Sequence, residues 1–186
     1  MKNTIWIVLA CLLSSSLYGQ WLTGIHSQFN DSFVDWTIYT ADEDVEGELR
    51  LRYRNFGSLG QDDWREWDYQ VDDLPGSIRQ KWRDRLDEWE LRSDNRIVTA
   101  RTRFPRDFSQ WRITDGDRVF ILRPRSHFGG NEWIVDADDL GYFLIYPEFS
   151  NDPRDWIIED QLEAEVSFQA KMMMLFLALF QSIPKI

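Results

Sequence analysis

The segment "DQLEAEVSFQAKMMMLFLALFQSIPKI", Asp160 to Ile186, decides the fold. It lacks strand alternation, is rich in helix formers, and places Glu163 three residues after Asp160, the spacing of a capping box. With Pro184 as the stop, a helix over 160–183 is expected. From Met172 to Phe180 every residue is apolar. A helix apolar on all sides is enclosed by protein or lies in lipid. The run is only nine residues, bracketed by Lys171 and Gln181, whereas a spanning helix needs roughly 20. The expectation is enclosure by protein, which the rest of the chain must supply.

The tryptophans show how. Trp67, Trp89, Trp111 and Trp133 are each 22 residues apart, Trp156 follows after 23, and Trp36 precedes Trp67 by 31. Each follows Asp, Glu or Gln (Asp35, Glu66, Glu88, Gln110, Glu132, Asp155), and each is followed two residues later by an apolar residue: Ile38, Tyr69, Leu91, Ile113, Val135, Ile158. Period two is the mark of a strand with one buried face. An acidic or Gly-containing turn comes next, then a second strand: "ELRLRYR" from Glu48, "SIRQKWR" from Ser77, "RIVTARTR" from Arg96, "RVFILRPR" from Arg118 and "YFLIYPE" from Tyr142. These are β-hairpins, with Asp, Asn and Gly where turns need unusual backbone angles. Trp156 begins another strand and "HSQFNDSFV", before Trp36, is read as one more.

The expected fold is therefore all-β with one buried helix, a roughly 12-stranded antiparallel barrel of repeated hairpins around the C-terminal helix. A barrel of that size is too wide for its own side chains to fill, so helix and barrel explain each other. The [D/E/Q]-Trp-x-apolar frame and the "KMMMLFLALFQSIPK" terminus resemble, in architecture, the tubby-like barrel superfamily, which includes tubby C-terminal domains, phospholipid scramblases and LURP-one-related proteins. The resemblance runs from about Gln28 to Ile186. It implies phosphoinositide binding, membrane-lipid movement or no settled activity, with no shared catalytic apparatus and no residue carried over.

Residues 1–19 carry one early lysine, an apolar stretch from Ile5 to Leu13, serines and a small Gly19, the pattern of a cleaved secretory signal. The expectation is a single domain over 20–186, secreted or periplasmic, without a transmembrane span in the mature chain. Cys11, the only cysteine, sits in "VLAC", which resembles a lipoprotein cleavage box, but the apolar stretch before it is short. Cleavage after Gly19 leaves no thiol for disulfides, nucleophiles or metals. The formal charge of -11 becomes -12 when Lys2 leaves with the signal. So acidic a chain argues against nucleic acid or anionic lipid as a non-specific partner, since both require phosphate neutralisation by Lys and Arg.

Ligand-binding candidates are the second-strand cations Arg50, Arg52, Arg54, Arg79, Lys81, Arg83, Arg101 and Arg103, which alternate with apolar residues and so share the outer face. They form either a basic ridge for a lipid headgroup or other anion, or acid-base rungs with Asp35, Glu66, Asp68, Glu88, Glu90 and Glu132 on neighbouring strands. Trp64 in "QDDWRE" stands outside the frame and is the tryptophan read as an exposed contact. The acid clusters Asp42–Glu46 and Asp136–Asp139 offer oxygen ligands but match no calcium loop. His26 and His127 have no partner motif, so no catalytic, metal or cofactor site is assigned. The leading reading is an exported, non-enzymatic binding or scaffold barrel, with a lipid headgroup or envelope protein as partner. The alternatives are a secreted hydrolase using loop carboxylates and a structural platform for a protein partner.

Overall fold

The computed structural model describes residues 22–30, 32–54, 62–126, 131–150 and 152–184. The expected signal segment, Cys11 and the His127 link lie outside the described residues. Twelve strands form one closed barrel: β1 (Leu22–Ser27), β2 (Asp35–Thr40), β3 (Glu46–Tyr53), β4 (Asp63–Val71), β5 (Leu74–Trp82), β6 (Arg85–Ser93), β7 (Arg96–Phe104), β8 (Asp107–Asp115), β9 (Arg118–Pro124), β10 (Trp133–Asp136), β11 (Tyr142–Pro147) and β12 (Asp155–Asp160). Every strand pairs antiparallel with its chain neighbour, and β1 closes the ring on β12 through Ile25 opposite Trp156. The six framed tryptophans fall on the even-numbered strands, all buried, with their apolar companions Ile38 to Ile158.

The extra N-terminal strand is Leu22–Ser27 rather than the stretch from His26 to Val34. Leu22 and Ile25 are the inward pair, and residues 28–30 and 32–34 belong to the return link, in which Phe33 and Val34 are buried. Three two-residue turns carry a positive φ at the same position, 51° at Asp72, 49° at Asp94 and 58° at Gly116. Asp tolerates that geometry and Gly has no Cβ to oppose it.

The helix α1 (Phe168–Ser182) starts later than the 160–183 expected. Its cap is Ser167, whose Oγ accepts the Ala170 N–H at 3.1 Å and donates to Asp115 Oδ2 at 2.6 Å. Asp160 is instead the last residue of β12, and residues 161–167 cross the barrel mouth with Leu162 and Val166 buried beneath. The helix then runs down the axis, with Phe176 against Trp67 and Trp89 at centroid distances of 5.8 and 4.9 Å. Every side chain from Ala170 to Phe180 is buried. Lys171 is the one charge among them, and its Nζ reaches Asp160 Oδ2 at 2.8 Å. Burial raises the Asp160 carboxyl above its ordinary range even with the lysine beside it.

Among the described residues no helix is long and apolar enough to cross a membrane. The barrel wall is apolar inward and charged outward over β3–β8, the inverse of a membrane barrel, whose outer band is apolar.

Candidate interaction surfaces

The strand register places the outward side chains in rungs. On β3–β6 these rungs are acid-base pairs. Arg52 binds Asp68 and, at 2.8 Å, Glu66, and the hydrogen bond to Asp68 is the main reason its guanidinium is held well above the ordinary range. Arg79 Nη2 and Arg92 Nε reach Glu90 Oε1 at 2.9 and 2.6 Å, and the Arg92 hydrogen bond, more than Arg79, holds that carboxyl below its usual range. Arg50 pairs with Glu48 at 2.5 Å, Arg54 with the buried Asp35, and Lys81 with Glu88 at 3.5 Å. Of the predicted cations, Arg50, Arg52, Arg54, Arg79 and Lys81 are therefore ion-paired along the wall, Arg54 from just beyond β3. Arg83 lies in the turn after β5, where its charge helps depress Asp63 after the larger effect of Arg65.

Trp64 is not the exposed contact expected of it. It is half-buried, packed against Trp67 at 5.7 Å, and its carbonyl accepts the Trp67 Nε1–H at 3.0 Å. The same bond recurs from Trp36 to Phe33, Trp89 to Leu86, Trp111 to Phe108 and Trp156 to Pro153, at 2.9–3.1 Å. Trp133 departs from it, donating to Ser182 Oγ at 2.9 Å near the helix end.

The two ends of the barrel differ. The end at which α1 begins comprises 42–46, 72–73, 94–96, 115–118, 136–139 and 160–171, with fifteen carboxylates and three cations, Arg96, Arg118 and Lys171. The remainder of the described chain is balanced, sixteen acids against sixteen bases. The opposite end, where α1 stops, has Phe29, Tyr53, Trp82, Leu86, Phe104 and Phe149 in or beside its links, each about half exposed, from 48% to 56%. Cations stand between them. Lys81 lies over the Trp82 ring at 5.6 Å and Arg103 over Phe104 at 5.4 Å, while Arg83, Arg85 and Arg106 are exposed nearby.

The acidic turns were legible one by one in the sequence, whereas the aromatic rim escaped it, because it is assembled from links far apart in the chain. A signal was present: the dipeptides at Lys81, Arg85 and Arg103 each couple a cation to a large apolar residue at a hairpin end.

Among the described residues, Asp160 has a carboxyl that burial raises above its ordinary range, and it is enclosed with Lys171 under the mouth. Among the same residues no three His, Cys, Asp or Glu side chains converge as a metal site requires. The cluster at Asp42 forms a turn, with Asp42 Oδ1 accepting the Asp44 N–H at 3.1 Å, and that at Asp136 leads into a single 3₁₀ turn, Asp138–Leu140. No family model matches the chain, and no curated protein or solved structure shows significant similarity to it.

Proposed function

We propose that this chain is an exported, non-enzymatic binding barrel that settles on an anionic membrane surface by its aromatic rim. One observation carries the reading: six of the ten exposed large apolar side chains stand with arginines at one end, the other four (Tyr39, Ile97, Val119 and Tyr142) lying towards the far end, while the net charge of the described residues gathers at that far end. Trp, Phe and Leu beside Lys and Arg is the composition of a surface at rest in the headgroup layer. An acidic far end is repelled by anionic lipid, so charge and apolar area favour the same orientation. Twelve strands round a threaded helix are also common to this chain and the tubby-like barrels it resembles, whose association with lipids supports the reading.

The test is co-sedimentation of residues 20–186 with vesicles of neutral lipid and of neutral lipid mixed with phosphatidylglycerol, at low and physiological salt. Binding to the mixed vesicles is expected, weaker at the higher salt and lost in a Trp82→Ser, Phe104→Ser variant. Val119→Ser on the opposite half of the wall should leave it unchanged. Absence of binding in every condition, or equal binding by the rim variant, contradicts the proposal.

A further inference from the structure

Trp111 is the one framed tryptophan preceded by a neutral residue and the one followed by a cation. The residues before and after the tryptophan are Glu66 and Asp68 on β4 and Glu88 and Glu90 on β6, but Gln110 and Arg112 on β8. These positions point outward and supply the acids of the rungs on the earlier strands, so the exchange removes the partners for whatever cations stand opposite. Arg101 of β7 is directly opposite Arg112. Like charges facing one another across a sheet are unfavourable.

No ion pair within 4.0 Å offsets the repulsion among the described residues. Glu88 also stands opposite Arg101, on the β6 side, but its carboxylate is engaged by Trp82 Nε1 at 3.0 Å, Arg85 at 3.2 Å and Lys81 at 3.5 Å. Arg103 turns to Gln110 Oε1 at 3.1 Å. Among the described residues neither Arg101 nor Arg112 has an ion pair within 4.0 Å or a side-chain hydrogen bond. The next rung is Thr99 opposite Thr114, two hydroxyls beside two free guanidinium groups. These four side chains, with Lys81 and Glu88, line a shallow depression on the wall.

We infer that this depression is a binding site for a tetrahedral oxyanion, a phosphate or sulfate group carried by a small molecule or a headgroup. Directly opposed side chains on paired strands have Cβ atoms about 5 Å apart, so two guanidinium forks address one anion from two sides. A single guanidinium already satisfies both oxygens of a carboxylate. Two forks with two hydroxyls match a group bearing three or four oxygens. A dianion also removes the repulsion that the empty rung sustains, so ligand and free protein predict opposite effects of the same substitution.

The experiment follows thermal unfolding of residues 20–186 in sodium phosphate, sodium sulfate and sodium chloride at matched ionic strength, with titration of phosphate by calorimetry. The expected result is stabilisation by phosphate and sulfate beyond that by chloride. Arg101→Gln and Arg112→Gln should each weaken the apparent phosphate affinity about tenfold to hundredfold, as loss of a charge-assisted hydrogen-bonding group does, while melting at or above the wild-type temperature in chloride. Arg79→Gln, which breaks a paired rung, should do the reverse: lower melting, unchanged phosphate response. Equal stabilisation by all three salts, or an undiminished phosphate response in Arg112→Gln, overturns the inference.

Vesicles containing phosphatidic acid identify the source. Binding that Arg112→Gln abolishes assigns a lipid phosphate, whereas a phosphate response without such binding assigns a soluble ligand. Vesicle binding that survives Arg112→Gln but not loss of Trp82 and Phe104 belongs to the rim, so the two proposals succeed or fail separately.

Discussion

A buried indole brings a donor into the core that must be satisfied. Five framed tryptophans solve this in one way, giving Nε1–H to the carbonyl three residues earlier, where Phe33, Trp64, Leu86, Phe108 and Pro153 stand. Trp111→Phe should destabilise by about 1–3 kcal/mol in urea unfolding, through a lost bond and a small cavity. Gly76 is a second residue whose identity is forced, because a Cβ there would sit 2.2 Å from the Tyr69 ring opposite. Gly76→Ala should therefore cost about 1–3 kcal/mol by overpacking, and wild-type stability in that variant would refute the close contact. The inward period of Trp and apolar companion was legible because strand alternation writes itself directly into sequence. Trp64 was misplaced because its role depends on the hydrogen bond three residues away, a spacing that alternation does not report.

At the scale of the element, the helix was legible as a buried apolar cylinder but its start was not. Asp160 and Glu163 have the spacing of a cap, yet Asp160 is held by the end of β12 and serves Lys171 instead. Lys171→Met leaves the Asp160 carboxyl buried without its cation and should cost about 3–5 kcal/mol at neutral pH, most of it recovered when Asp160→Asn is added. The pH dependence has a defined sign. The folded carboxyl is already raised by burial, so its contribution is intact below the unfolded pKa and is lost as pH rises through the folded one. Lys171→Met should accordingly approach wild-type stability towards pH 4 and fall away above it. Glu90, held low chiefly by Arg92, acts in the opposite sense. Its contribution is present above the unfolded carboxylate pKa of about 4 and disappears as acid takes the pH through the lower folded value.

Across the whole molecule, the hairpin period sets the construction and the links set the asymmetry. The strand count, the closed order and the enclosed helix follow from inward residues repeated at a fixed interval, which is why they could be read in one dimension. The acidic end is a sum over six links whose acidic turns recur with the hairpins, whereas the aromatic rim draws on five links and keeps no fixed interval. Truncation after Gln169 should abolish cooperative unfolding, because it removes the side chains from Ala170 to Phe180 that fill the barrel and leaves Trp67 and Trp89 lining a void. A folded truncated barrel would show that the wall stands without its core.

The rim makes the most direct demand. Trp82 is half exposed, whereas the six framed tryptophans are 8% exposed or less. Quenching of intrinsic fluorescence by brominated lipid in phosphatidylglycerol-containing vesicles therefore reports which end meets the bilayer. The predicted result is partial quenching that Trp82→Phe removes while vesicle binding persists. Quenching unchanged in Trp82→Phe, or no quenching at a vesicle concentration that sediments the protein, would contradict the membrane-facing rim.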